Sequence, residues 1–146
     1  MLPLHDFPAF PALVLFSALL VLKMGAVAVA TSNARRKAKL VLNPEDTKVN
    51  PGSRAANEEA SGTLRAKRAH QNDVENIPGF LILALLFTLS GCSARAGWAY
   101  FGVYFVARTL HTIFYLNSVQ PWRTAAFFVG QLAQLGIIVQ LLMTVF

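Results

Sequence analysis

The stretch from Arg68 to Gly91, RAHQNDVENIPGFLILALLFTLSG, changes from a dense polar run to an apolar helix with no linker between them. Its apolar part begins at Ile77 and is shorter than the roughly 20 residues that a membrane-spanning helix needs. The helix must therefore begin several residues earlier, which brings Asn72 and Glu75 to the membrane boundary. At helical spacing, Arg68, Asn72 and Glu75 lie on one face of this helix.

Three further segments are apolar and close to spanning length. They are AFPALVLFSALLVLKMGAVAVA (9–30), WAYFGVYFVARTLHTIFYL (98–116) and PWRTAAFFVGQLAQLGIIVQLLMTVF (121–146). With 55% hydrophobic and 14% charged residues, the chain of 146 residues is too apolar for an ordinary soluble domain. We therefore predict an all-α integral membrane protein. It is a single domain over residues 1–146, a four-transmembrane-helix bundle with helices at about 9–33, 64–91, 96–117 and 121–145.

The basic residues are concentrated in one polar segment. The net charge is +6, and eight of the thirteen Lys and Arg residues lie between residues 31 and 67. This distribution marks a cytosolic loop, predicted at about residues 34–63, in a multi-pass protein. The same segment contains no aromatic residue, whereas nucleic-acid binding would favour basic residues interleaved with aromatic ones. No nucleic-acid partner is expected.

The third predicted helix carries a polar stripe of its own. Arg108, His111 and Tyr115 share one face, and an arginine within a span costs about 3 kcal/mol unless it faces protein or water. A short turn joins this helix to the second, so the two should pack antiparallel. In that arrangement Asn72 lies level with Leu116, and the two polar stripes meet at the cytosolic end of the bilayer.

Further cations belong at the same level. Residues 35–37 (Arg, Arg and Lys) follow the first helix, and Arg123 begins the fourth. Because arginine suits the bidentate binding of carboxylates, we expect a pocket for a small ligand with several anionic groups. Glu75 has two open interpretations: it holds a ligand ammonium group, or it neutralises Arg108 in a structural ion pair.

Simpler interpretations exist for each residue taken alone. The basic run after the first helix is also typical of a positive-inside anchor, and Tyr115 of an interfacial aromatic belt. His111 could be a satisfied buried histidine. Lys23, in the middle of the first helix, is predicted to pair with Asp73. No metal site is expected, because no His spacing supplies three ligands and Cys92 is the one cysteine.

Four motifs then make the chain recognisable. NPED (43–46), RAHQNDVENIPGFL (68–81), ARTLHTIFYL (107–116) and PWRTAAFFVGQ (121–131) resemble the MAPEG family, the membrane-associated proteins in eicosanoid and glutathione metabolism. The resemblance is to the branch of microsomal glutathione transferase and prostaglandin E synthase. It implies a homotrimer that binds glutathione between subunits near the cytosolic face. The membrane would be the endoplasmic reticulum or outer mitochondrial membrane in a eukaryote, and the inner membrane in a bacterium.

The resemblance also implies roles for individual residues. Arg123 matches the arginine that stabilises the glutathione thiolate, and Asp46 matches an aspartate proposed to assist in some members. The positions that match glutathione-binding ones are Arg35, Arg68, Asn72, Glu75, Arg108, His111, Tyr115 and Thr124.

The implied activity is that of a membrane-bound glutathione transferase, with glutathione-dependent peroxidase activity, that acts on lipophilic electrophiles or lipid hydroperoxides arriving through membrane lipid. A prostaglandin E synthase-type isomerase is the alternative within the family. Members of that branch have a serine after the catalytic arginine and a tyrosine three residues later, where this chain has Thr124 and Phe127, and an arginine in place of Gln71. An alternative of another class is a non-catalytic lipid-binding scaffold.

Overall fold

The computed structural model describes residues 6–146 of the chain. Within this range four long α-helices follow one another, which confirms the predicted all-α, four-helix architecture. They are α1 (Phe10–Ala38), α2 (Ser61–Leu89), α3 (Ala94–Leu116) and α4 (Trp122–Val145).

The first helix is longer than expected. α1 continues to Ala38 rather than ending near residue 33, and its last turn contains Arg35, Arg36 and Lys37. Cations in the last turn of a helix interact favourably with the negative end of the helix dipole. Lys39 then ends the helix in the left-handed conformation, with φ of 52°.

The connection between α1 and α2 is ordered by short elements of its own. The strands β1 (Leu40–Val41) and β2 (Arg54–Ala55) pair in parallel, on either side of a 3-10 helix at Pro44–Lys48. α2 begins at Ser61, earlier than residue 64, so the segment outside the long helices is shorter than the predicted loop 34–63 at both ends.

Aromatic packing among α2, α3 and their neighbours forms the core. Phe80 of α2 stacks on Tyr104 of α3 with ring centroids 3.6 Å apart, and meets Phe101 edge-on. Leu20 of α1 and Ile137 of α4 close this core from the other two helices, and all five side chains are buried. The four helices are therefore held by one continuous apolar cluster.

Three of the helices among residues 6–146, namely α1, α2 and α4, are long and apolar enough to cross a membrane. α3 has 23 residues, yet composition alone does not identify it as a span, because Arg108 and His111 interrupt its apolar sequence. Both side chains are buried within the bundle, where protein rather than lipid surrounds them. The chain is thus a membrane protein whose third helix carries its polar groups inside.

The two ends of the bundle differ. α1 and α3 end, and α2 and α4 begin, at one end, which we call the loop end. At the other, the turn end, residues 90–93 join α2 to α3, and Gly91 adopts a φ of 78° that favours glycine. The predicted polar residues can now be placed relative to the loop end.

Candidate functional site

Two adjoining cavities open near the loop end. One has a volume of about 360 Å³ and the other of about 210 Å³. They share Leu64, Arg68 and Tyr115 in their linings, so they form one region, which we call the loop-end pocket. Its complete lining is Ser61, Leu64, Arg65, Lys67, Arg68, Gln71, Asn72, Glu75, Tyr115 and Arg123.

The loop-end pocket brings together five of the residues that the sequence singled out, from three different helices. Arg68, Asn72 and Glu75 come from α2, Tyr115 from α3 and Arg123 from α4. The spacing of the three α2 residues predicts that they share one face of the helix, and in the structure they line one cavity. The pocket combines guanidinium groups with one carboxylate, two amides and a phenol, a set suited to a ligand that carries charges of both signs.

Two neighbours fix the position of Arg123. Its guanidinium carbon lies 4.6 Å from the centroid of the Tyr115 ring, within cation–π range. The Gln120 amide, oriented to satisfy both of its neighbours, accepts from Arg123 Nη2 (2.7 Å) and Nε (3.1 Å) and donates to Thr124 Oγ1 (3.1 Å). Arg123 also lies in the first turn of α4, where the helix dipole adds positive potential.

His111 supports the pocket from behind and does not line it. The side chain is buried, and its ring meets Tyr115 edge-on at 5.7 Å and Phe127 at 5.9 Å between centroids. Thr124 is exposed on the first turn of α4 and does not line the pocket either. His111 can affect the pocket only through Tyr115, and Thr124 only through Gln120.

Arg108 has different partners from those considered in the sequence. Its Nη2 donates to Asn72 Oδ1 (2.6 Å), Asn72 O (3.1 Å) and Asp73 Oδ1 (3.1 Å). The alternative in which Glu75 neutralises Arg108 is therefore wrong. Glu75 is exposed and accepts a hydrogen bond from Gln71 Nε2 at 3.2 Å. Arg108 itself is only 1% exposed and does not line the loop-end pocket.

The expected level of Asn72 was also wrong. The turn between α2 and α3 lies at residues 90–93, earlier in the chain than the predicted 92–95, so Asn72 lies opposite a deeper part of α3. It accepts a hydrogen bond from Arg108. The two polar stripes still meet, because the long Arg108 side chain extends to Asn72 and Tyr115 reaches the same cavity.

The predicted pairing of Lys23 with Asp73 is confirmed. Lys23 Nζ lies 2.5 Å from Asp73 Oδ1 and 2.5 Å from Thr112 Oγ1. Asp73 is fully buried and therefore pairs with a cation from α1 and a second one, Arg108, from α3. Such pairing offsets the desolvation cost of a carboxylate buried inside a membrane bundle.

Arg35 and Asp46 lie elsewhere. Both line a separate cavity of about 510 Å³ beside α1 and the 3-10 helix, and this cavity shares no lining residue with the loop-end pocket. Arg35 Nη2 is 2.9 Å from Glu59 Oε1, and Lys67 Nζ is 3.4 Å from the other Glu59 oxygen. Within one protomer, neither Arg35 nor Asp46 therefore lines the pocket that contains Arg123.

Sequence reasoning missed two residues that hold arginines in place. Gln120 binds Arg123, and Glu59 binds Arg35. Gln120 had a recognisable signal, since it directly precedes the Pro-Trp-Arg start of α4. Glu59 had none, because it lies in a loop of no periodicity.

Cys92 is not suited to be a nucleophile of this site. It lies at the turn end, in the connection between α2 and α3, and burial raises the pKa of its thiol. The reactive form of cysteine is the thiolate. Among residues 6–146, no group of three His, Cys, Asp or Glu side chains could hold a metal ion. Cys92 therefore supplies no nucleophile to the loop-end pocket.

Comparison with known proteins gives concordant matches over most of the chain. The sequence model of the MAPEG family matches residues 13–143. Human prostaglandin E synthase is 35% identical over 136 residues, which is 92% of this chain and 89% of the human protein. The protein of the same name from Equus caballus is 39% identical over 125 residues (85% and 81%). Microsomal glutathione S-transferase 1 from Bos taurus is 36% identical over 129 residues (83% and 81%).

Proposed function

The chain belongs to the MAPEG family, and on that premise we propose that it is a glutathione transferase of the membrane, which ionises the thiol of bound glutathione for attack on lipophilic electrophiles. The observation that carries this proposal is the convergence of Arg68, Asn72, Glu75, Tyr115 and Arg123 on one pocket. Glutathione has two carboxylates, one ammonium group and one thiol. The pocket offers arginines to the carboxylates and Glu75 to the ammonium group.

Arg123 is the residue proposed to act on the sulfur. A free thiol has a pKa of about 8.5, and only its anion is a good nucleophile. A guanidinium group beside the sulfur stabilises the anion and lowers its pKa, and the first turn of α4 adds positive potential at the same place. The Tyr115 ring and the Gln120 carbonyl hold the guanidinium without neutralising it.

The chemistry then needs no protein nucleophile. With a chlorodinitrobenzene, the glutathione sulfur bonds to the ring carbon that bears chlorine, chloride leaves with the electrons of its bond, and the thiol proton passes to solvent. With a hydroperoxide, the sulfur attacks the terminal oxygen and the O–O bond breaks. The alkoxide takes up a proton, and a second glutathione completes the reaction to the disulfide and water. Peroxidase activity is part of the proposal.

A homotrimer is also proposed. In one protomer, Arg35 and Asp46 line a cavity different from that of Arg123, and Glu75 is exposed on the helix surface. A neighbouring copy that set its α1 cavity against the loop-end pocket would unite these residues around one ligand. Native mass spectrometry of the detergent-purified protein would detect the trimer, and a monomer alone would count against it. We propose that the loop end faces the cytosol.

Prostaglandin E synthase-type isomerase activity is the second candidate, because relatives of that name match at 35–39% identity. Two features of this chain count against it. Phe127 has no hydroxyl and packs on His111. The Thr124 hydroxyl accepts from Gln120, and Thr124 does not line the pocket. Incubation with the endoperoxide and glutathione separates the two, since product at the uncatalysed rate eliminates the isomerase.

The test of the main proposal is a comparison of Arg123→Ala with Arg95→Ala, which removes the same charge from the turn end of α3. We expect Arg123→Ala to lower kcat for conjugation about a hundredfold and to shift the rising limb of the pH–rate profile upward, while glutathione still binds in a calorimetric titration. Arg95→Ala should keep the wild-type rate. A normal turnover rate in Arg123→Ala removes Arg123 from the mechanism, and wild-type protein that binds no glutathione favours the lipid-binding scaffold.

A further inference from the structure

A buried ionic cluster joins three helices below the loop-end pocket. Lys23 comes from α1, Asp73 from α2, and Arg108 with Thr112 from α3. The side chains of Lys23, Asp73 and Arg108 are only 10%, 0% and 1% exposed. The cluster contains two cations and one carboxylate, so its net charge is positive.

The hydrogen bonds of Arg108 are distributed in an unusual way. An arginine beside a carboxylate ordinarily donates two parallel N–H bonds to it. Here Nη2 alone is engaged, and its shortest contact is to Asn72 Oδ1 at 2.6 Å rather than to Asp73 Oδ1 at 3.1 Å. Arg108 Nε and Nη1 are buried without a partner among the residues that the structure describes. Arg108 therefore favours the neutral amide over a full bond to its counter-ion.

Lys23 accounts for this preference. Its ammonium group lies 2.5 Å from Asp73 Oδ1, the oxygen that Arg108 also contacts. An Asp73 carboxylate already occupied by Lys23 attracts Arg108 less strongly. Without Lys23, the buried carboxylate would draw the unpartnered Nε and Nη1 of Arg108 into a bidentate pair, and Arg108 would leave Asn72.

The bond from Arg108 determines what Asn72 offers to a ligand. An arginine only donates, so the Asn72 atom that faces it is the amide oxygen. The amide nitrogen, with two N–H donors, is then the polar end of Asn72 that remains for the loop-end pocket. This end would donate to a carboxylate or carbonyl oxygen of the ligand.

We propose that Lys23 is a positioning residue for the loop-end pocket: it occupies Asp73 so that Arg108 holds the Asn72 amide with its N–H groups toward the ligand. On the proposed function, to which this inference adds, the bound acceptor is a carboxylate or peptide carbonyl of glutathione. Lys23 acts through three other residues, Asp73, Arg108 and Asn72, and touches no reactant.

The first experiment needs no ligand. The side-chain amide of Asn72 is observed by NMR in asparagine-labelled protein in detergent, in the wild type, Lys23→Met and Lys23→Arg. Thr31→Val is the matched control, since it removes from the same helix a hydroxyl group that donates to Val27 O. We expect the Asn72 signal to move in Lys23→Met and to stay at its wild-type position in Lys23→Arg and Thr31→Val. An unmoved signal in Lys23→Met overturns the proposal.

The second experiment measures glutathione kinetics in a double-mutant cycle of Lys23→Met and Asn72→Ala. The glutathione KM of Lys23→Met should rise about threefold to tenfold, the effect of one hydrogen bond, with kcat nearly unchanged. If Lys23 acts through Asn72, the double variant should have the same KM as Asn72→Ala alone. Additive effects, or a loss of thermal stability with an unchanged KM, assign Lys23 a structural role only and refute the inference.

A variant that does not fold, or a failure of the proposed function, can be distinguished from a failure of this inference. If Lys23→Met does not fold, Lys23→Gln takes its place. It still donates to Asp73 but leaves the carboxylate charge unbalanced and free to attract Arg108, so the expected direction is the same. If wild-type protein binds no glutathione, the proposed function fails, and the ligand-free NMR comparison alone decides whether Lys23 controls Asn72.

Discussion

Two substitutions of Tyr115 separate the roles of its ring and its hydroxyl. The Arg123 guanidinium carbon lies 4.6 Å from the centroid of the Tyr115 ring, and the ring is braced by His111 at 5.7 Å. Tyr115→Leu removes the aromatic face that the Arg123 guanidinium group contacts. Tyr115→Phe keeps that face and removes only the hydroxyl, so it is the matched control for the ring.

The size of the effect follows from the setting of Arg123. A cation–π contact contributes about 0.5–1 kcal/mol at an exposed site and about 2 kcal/mol when desolvated. Arg123 is half-buried, so about 1 kcal/mol is appropriate, which corresponds to about a fivefold change in the population of the positioned guanidinium. Gln120 continues to accept two hydrogen bonds from Arg123. We therefore expect kcat to fall about fivefold in Tyr115→Leu and less than about twofold in Tyr115→Phe.

The assay is the rate of conjugation at saturating glutathione, measured across the pH range for each variant. Phe128→Leu serves as a second control, because this exposed ring of α4 contacts Phe127 and lies outside the lining of the pocket. Equal losses in Tyr115→Leu and Tyr115→Phe would show that the hydroxyl matters and the ring does not. A wild-type kcat in Tyr115→Leu would refute the positioning role altogether.

Two further predictions concern the turn end. Gly97→Ala should lower the free energy of unfolding by about 1–3 kcal/mol, because a Cβ at this position would lie 2.6 Å from Ala9 Cβ. Gly79→Ala is the control, because its Cβ would meet nothing within 4 Å. Equal melting temperatures of the two variants in detergent would contradict the close approach of Gly97 to Ala9. Since burial raises the pKa of the Cys92 thiol, its alkylation by iodoacetamide should be slow at neutral pH and accelerate at alkaline pH. A neutral-pH rate equal to that of the denatured protein would disprove this.

The sequence was sufficient for features that depend on one helix at a time. Apolar runs located the four helices, and the spacing of Arg68, Asn72 and Glu75 placed them on one face of α2, where they line one cavity. The pairing of Lys23 with Asp73 was also predictable, because a cation in the middle of a span needs an anion inside the bundle. Such requirements hold whatever the details of packing.

Features that depend on helix rotation were not predictable in the same way. Asp73 and Glu75 are separated by two positions, which turns them about 200° apart on α2, so only one of them can face α3. The composition of α2 does not indicate which of the two carboxylates faces α3. In the structure, Asp73 faces inward and accepts a hydrogen bond from Arg108. The position of Gln120 just before the start of α4 was a signal in the sequence, but its bond to Arg123 depends on the conformation of the turn before α4, which no periodic pattern predicts.

The arginines of the chain differ in what holds them, and this difference bears on their chemistry. Arg35 and Arg108 each pair with a carboxylate, Glu59 and Asp73. A ligand anion that approaches either of them meets a charge already balanced, so it gains less than it would from a free guanidinium. Arg123 has no carboxylate partner among residues 6–146 in the ion pairs that the structure contains. A π face and an amide oxygen orient it while its full charge remains. Of these three arginines, Arg123 is therefore the one that we propose lowers the pKa of a ligand thiol.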